Sequence, residues 1–143
     1  MRLATFAAGL AGGIVMFLLG FLFYAVLFAT YFQENMVQYA GLMKDPPVFW
    51  AIFVFNIVWA FLIAFVLDHW AKLSGWAEGA KTGAIIMFLV GLATNLDFYA
   101  FLNLHKALAP VIVHLIVMII LGAGAGATAG VVLGFFNRRT AED

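Results

Sequence analysis

Residues 108–136 read LAPVIVHLIVMIILGAGAGATAGVVLGFF, and the fold class turns on them. The stretch holds no Asp, Glu, Lys or Arg, and it exceeds the roughly 20 residues that a helix needs to cross the hydrocarbon of a bilayer. Inside it Gly122, Gly126, Gly130 and Gly134 recur at every fourth position. Glycine is a poor helix former in water, but in lipid a row of it lets two backbones approach closely. The run from Gly122 to Gly126 alternates glycine and alanine like a linker. A flexible linker has no place inside an apolar span, because its backbone polar groups would go unsatisfied there. Toward the N-terminus, three more apolar segments cover residues 3–32, 48–67 and 80–102. The expectation is a single four-helix transmembrane domain over residues 1–143.

Composition supports the same class. Of 143 residues, 66% are hydrophobic and 10% charged, against roughly half and about a quarter in a soluble domain. A chain of this length buries only about 70% of its surface on folding, so much apolar surface must face lipid. A soluble enzyme, a disulfide module and a disordered region are thereby excluded. Seven basic residues balance seven acidic ones, which leaves no basic stripe for nucleic acid. The absence of cysteine removes thiolate and iron–sulfur chemistry. The apolar run after Arg2 is too long for the core of a signal peptide and lacks a clear cleavage site. With four spans, Arg2, Lys72, Lys81, Arg138 and Arg139 fall on one side, and Lys44 and Lys106 on the other. The positive-inside rule then puts both termini in the cytoplasm of an inner-membrane protein. Trp50, Trp70 and Trp76 fit an aromatic belt.

Projection at 100° per residue separates glycine from polar groups along three of the spans. Gly9, Gly13, Gly20, Tyr24, Tyr31 and Glu34 share one arc of the first; Gly79, Gly83, Thr94 and Asp97 share a stripe of the third. On the fourth, His114 continues the four-spaced glycine row. In each, glycine lies toward the cytoplasmic end and the polar groups toward the outer end. Whether the fourth-span row meets the first helix or another copy of the protein is left open by the spacing.

Asp97 and His114 each stand about eight residues, or roughly 12 Å, below the turn that joins the third and fourth spans. A helical hairpin brings them to one depth. Asn56, Tyr24 and Tyr31 lie at a comparable level. An ionisable group inside a span needs a partner or water, so Asp97 and His114 are the expected ligand or proton site, lined by Asn56, Tyr24 and Tyr31. The competing explanation is an interhelical hydrogen bond that only sets register. Asn95 points roughly 160° away from Asp97. With Gly91 and Tyr99 it marks either a dimer surface or a contact within the bundle.

Other chemistry finds little support. A haem between spans needs two facing histidines, and His114 alone lies deep in a span. A metal at the outer face could recruit His114, Asp97, His105 and Glu34, but no ligand spacing supports it, and no metal or cofactor is expected. Asp68 and His69 read as solvated end groups of the second span, with Lys72 at the spacing of a helical ion pair. No nucleophile elbow, phosphate loop or nucleotide fingerprint occurs, so catalytic residues are not assigned.

The stretch GAIIMFLVGLATNLDFYAFLN (residues 83–103), followed by a glycine-rich helix, resembles the rear half of small bacterial four-helix membrane families of unknown function. The matching residues are Asp97, Phe98, Tyr99 and Asn103. The resemblance implies a bacterial multi-pass protein and brings no activity with it. The expected architecture is an all-α, antiparallel four-transmembrane-helix bundle. It is expected to bind a small molecule or lipid in a polar pocket open to the outer face, in a role related to transport. The alternative is a non-catalytic subunit of a larger membrane complex. Membrane lipids, a second copy or other membrane subunits are the expected partners.

Overall fold

The computed structural model describes residues 2–142, with side chains as far as residue 138; Arg139, one of the expected cytoplasmic charges, has its side chain outside the described residues. The elements are α1 (Leu3–Gly20), which runs into a π-helical segment Phe21–Leu27, a short α2 (Ala29–Asn35), α3 (Phe49–Phe65), which ends in a second π segment Val66–Ala71, then α4 (Trp76–Phe101) and α5 (Ala109–Glu142). Four helical stretches, Leu3–Leu27, Phe49–Ala71, Trp76–Phe101 and Ala109–Arg138, are long and apolar enough to cross a membrane. Among the described residues the one strand-like feature is a bridge between Met36 and His105.

The first span does not run straight to Phe32. The Phe28 N–H donates to the Phe23 carbonyl five residues back, at 2.8 Å, and Phe28 leaves helical geometry at φ −114°, ψ 10°. A wide turn of this kind inserts a residue and rotates the helix beyond it, so Tyr24 and Tyr31 no longer share a straight arc. The second span likewise widens over its last turn. It stops at Lys72, whose φ of 55° is left-handed, while the Leu73 N–H donates to the Leu67 carbonyl at 3.0 Å. The bond spans six residues, one more than in a Schellman cap, because the last turn is π-helical; the left-handed position that ends a helix usually holds glycine. Lysine is strained there by about 1 kcal/mol, so Lys72→Gly is expected to raise thermal stability in detergent. A midpoint unchanged or lowered would contradict this reading of the cap. α5 starts at Ala109–Pro110, where proline costs nothing because the first-turn N–H groups have no helical acceptor.

α5 is the hub. It packs on α4 and on α1, and more lightly on α3; α1 packs on α3, whereas α4 barely touches α3 or α1. The largest sealed side chains are Met16, Ile63, Leu67, Met87, Val117 and Leu133, set among Ala8, Ala60, Ala64, Ala125 and Ala129. The outer surface carries Phe21, Val26, Phe55, Val58, Leu89 and Ile116, all exposed, as a lipid-facing surface would. Trp50, Trp70 and Trp76 are exposed as well.

Lipid tails are as apolar as leucine, so contact between helices must come from close van der Waals packing. The glycine rows supply it. The α5 row meets α4 rather than α1: a methyl group added at Gly79 would overlap the Gly126 carbonyl, one at Gly83 that of Gly122, and one at Gly130 that of Gly75. Gly75, at φ +105°, donates its N–H to the Gly130 carbonyl at 2.8 Å. Gly134 is looser, with its nearest neighbours 3.7 and 3.9 Å from an added Cβ. On α1, Gly9 receives the ring of Phe61 and Gly13 the side chain of Ile57. At Gly20 an added Cβ would meet Leu121 at 3.6 Å, an ordinary contact distance. The tight approach of α1 to α5 is made by Gly12, where an added Cβ would stand 2.8 Å from the Ala125 carbonyl, a position the projected arc passes over.

Candidate functional site

A cavity of about 410 Å³ lies among the first π segment, α2, the last turns of α4, the loops beside them and the start of α5. Its polar lining is Tyr24, Asn95, His105 and His114; Phe32, Met36, Met43, Phe98 and Leu104 supply the apolar remainder. The first π segment and the α5 glycine row each deliver one member of its central pair. Tyr24 hydroxyl and His114 Nδ1 are 2.9 Å apart, and the two rings lie 5.4 Å apart, with Phe32 edge-on to the imidazole at 6.3 Å. In a neutral pair the phenol is the stronger acid, so it donates to Nδ1 and the imidazole proton sits on Nε2. Nε2 has no hydrogen-bond partner among the described residues.

Asn95 is buried. Its Nδ2 donates to the Gly91 carbonyl at 2.7 Å and lies 3.7 Å from the Met118 sulfur. Its Oδ1 is an acceptor without a donor among the described residues. His105 Nδ1 is buried and likewise without a hydrogen-bond partner. The cavity therefore offers His114 Nε2 and Asn95 Oδ1 as hydrogen-bonding atoms in an apolar wall, the usual composition of a small-molecule site.

Of the five residues expected to form the site, the structure brings together Tyr24 and His114. Asp97 is exposed, lines no part of the cavity, and has no hydrogen bond or ion pair among the described residues; the expected acid–imidazole pair is not formed. The reason is the crossing of α4 over α5. Their contact follows the inclined four-spaced ridge Gly79, Gly83, Met87, Gly91, Asn95, all buried, not the vertical stripe that holds Asp97 and Thr94. Ridges of this kind run at an angle to the helix axis. Gly91 and Asn95 are thus a contact within the bundle, Gly91 lying against Met118 and Leu115, while Tyr99 faces outward at 46% exposure. Asn56 is buried in α3 and donates to its own Ile52 carbonyl at 2.8 Å, outside the cavity. Tyr31 stacks edge-on against Phe28 and Phe32, also outside it. Continuing the glycine spacing of α4 to Asn95 was the signal available in the sequence.

At the opposite end of the bundle, Asp68 is buried, not solvated. The Thr5 hydroxyl donates to its Oδ2, Arg2 Nη1 lies 3.4 Å from Oδ1 and His69 Nδ1 3.5 Å from Oδ2. Arg2 also donates to Asn137 Oδ1 at 2.9 Å. The expected ion pair with Lys72 is absent among the described residues, because Lys72 stands in the left-handed position beyond the helix. The group joins α1, α3 and α5, and the space beside it is about 90 Å³. No set of three or more His, Asp or Glu side chains among the described residues could hold a metal ion; His114, Asp97, His105 and Glu34 do not converge.

Comparison with protein-family models, with curated proteins and with solved structures finds no match to this chain.

Proposed function

We propose that the chain is a multi-pass membrane protein that binds a small molecule or lipid in the cavity around Tyr24 and His114, with transport as the process such binding would serve. In this reading the bundle is antiparallel, both termini are cytoplasmic, and the cavity belongs to the outer half of an inner membrane. The excess of Arg2, Lys72, Lys81 and Arg138 over Lys44 and Lys106 supports that orientation. The observation that carries the binding function is the Tyr24–His114 hydrogen bond at the wall of a cavity of about 410 Å³, within the usual range of about 300–1,000 Å³ for ligand pockets.

Purification in mild detergent, followed by mass spectrometry of whatever co-elutes, tests it. The wild-type chain is expected to retain a low-mass molecule. Tyr24→Phe, which removes one hydrogen bond of about 1 kcal/mol, is expected to reduce retention about fivefold, and His114→Ala to reduce it further. Asp97→Asn should leave retention unchanged. Equal retention by all four proteins would remove the cavity from consideration.

One observation favours the second reading, an accessory subunit of a larger membrane complex. α4 packs on α5 and scarcely elsewhere, and its outward side carries Asp97 about one turn, or roughly 6 Å, from the helix end. A carboxylate so near lipid calls for a partner or water. Co-elution of other membrane subunits in fixed proportion, with no small molecule, would select this reading.

A further inference from the structure

We infer that the cavity takes an uncharged lipophilic molecule with an oxygen-bearing head, a hydroxyl or a carbonyl, and admits it from the bilayer. The inference rests on the reading of the cavity as a binding site and specifies what that site accepts.

On the loop side the lining segments are tied together by hydrogen bonds. The Val37 N–H donates to the Leu104 carbonyl at 2.9 Å and the Lys106 N–H to the Asn35 carbonyl at 3.1 Å. Lys106 Nζ donates to the Glu34 carbonyl at 2.7 Å and the Tyr39 hydroxyl to the Asn103 carbonyl at 2.8 Å. These bonds fasten the segments at 34–39 and 103–106 to one another where Met36, Leu104 and His105 line the cavity. Between α4 and the first π segment and α2, by contrast, there is almost no packing, and Phe98, a lining residue of α4, is 45% exposed. The lining on either side is apolar, with Phe32 and Met36 facing Phe98 across the cavity, so an apolar tail can lie among them while the head reaches His114.

The chemistry of the lining selects the head. No carboxylate, ammonium or guanidinium lines the cavity, so a charged head would lose its hydration with no opposite charge to meet it, a cost of several kcal/mol. A neutral oxygen head loses little. A carbonyl can accept from His114 Nε2–H. A hydroxyl can do the same and also donate to Asn95 Oδ1, the acceptor left without a donor.

The chain has three histidines, so ring-¹⁵N NMR of the full protein in micelles resolves each. The probes are dodecanol, a decyl-substituted benzoquinone, dodecyl phosphate and dodecyltrimethylammonium. Dodecanol and the quinone are expected to shift His114 and His105 saturably and to leave His69, at the far end, unmoved. Asn95→Leu should weaken dodecanol about fivefold, for one lost hydrogen bond, and spare the quinone, which cannot donate. A response to the quinone alone identifies a carbonyl head, and one to dodecanol alone a hydroxyl head. If either charged amphiphile shifts His114 as strongly, the assignment of head chemistry is overturned while the cavity stands as a binding site. If none of the four probes moves His114, or all three histidines move together, the binding reading itself falls.

Discussion

Gly126→Val is expected to prevent assembly of the bundle, whereas Gly134→Ala is expected to be nearly neutral. Both belong to the same four-spaced row on α5, and a sequence pattern treats them alike. At Gly126, even the first carbon of a side chain would overlap the Gly79 carbonyl and press on the Gly83 backbone. Backbone cannot move aside by changing rotamer, so α4 and α5 would have to separate along their whole contact. Overpacking that flexible side chains can absorb costs about 1–3 kcal/mol; here the cost should exceed about 3 kcal/mol, because the loss extends to the neighbouring glycine pairs. At Gly134 the nearest atoms stand at 3.7 and 3.9 Å, ordinary contact, and alanine's better helix propensity of about 1 kcal/mol offsets any crowding. Gly20→Ala, against Leu121 at 3.6 Å, should behave like Gly134→Ala. The check is the fraction of folded monomer in detergent and its resistance to SDS unfolding. Similar losses at Gly126 and Gly134 would mean that close backbone contact between α4 and α5 does not hold the bundle.

Arg2→Ala is expected to destabilise the protein more than Asp68→Asn, although each breaks the same ion pair. The asymmetry comes from where the two charges sit. The Asp68 side chain is 4% exposed and that of Arg2 54%. Removing Arg2 strands a buried carboxylate with the Thr5 hydroxyl and the His69 ring beside it, and such stranding is the costly event. Solvent screening of the half-exposed arginine lowers the loss to about 1–3 kcal/mol. Asp68→Asn removes the buried charge, retains an oxygen to accept from Thr5, and lets Arg2 return to water, so its cost should stay below about 1 kcal/mol. In the Asp68→Asn background, Arg2→Ala should then add little beyond the lost bond to Asn137. Equal single-variant losses in thermal unfolding would place the stability elsewhere than in the buried carboxylate.

The amino-acid order alone determined the features that depend on local properties summed along the chain. Four apolar stretches are long enough for hydrocarbon whatever their neighbours do, and the glycine row from Gly122 to Gly130 is a contact surface because nothing else justifies glycine in a helix. His114 and Tyr24 were legible as polar groups at one depth. Which side of a helix meets its neighbour was not legible, since that depends on crossing angle. α4 and α5 meet along inclined ridges, so the contact that starts at Gly79 and Gly83 arrives at Asn95 and leaves Asp97 outside. Two wide helical turns had the same effect on rotation: one sets Tyr24 against His114, and the other lies where Asp68 turns inward to Thr5 and Arg2. Depth is an additive property of residue count and can be read from the sequence. Azimuth is fixed only when two helices choose their packing, and that choice belongs to the tertiary structure.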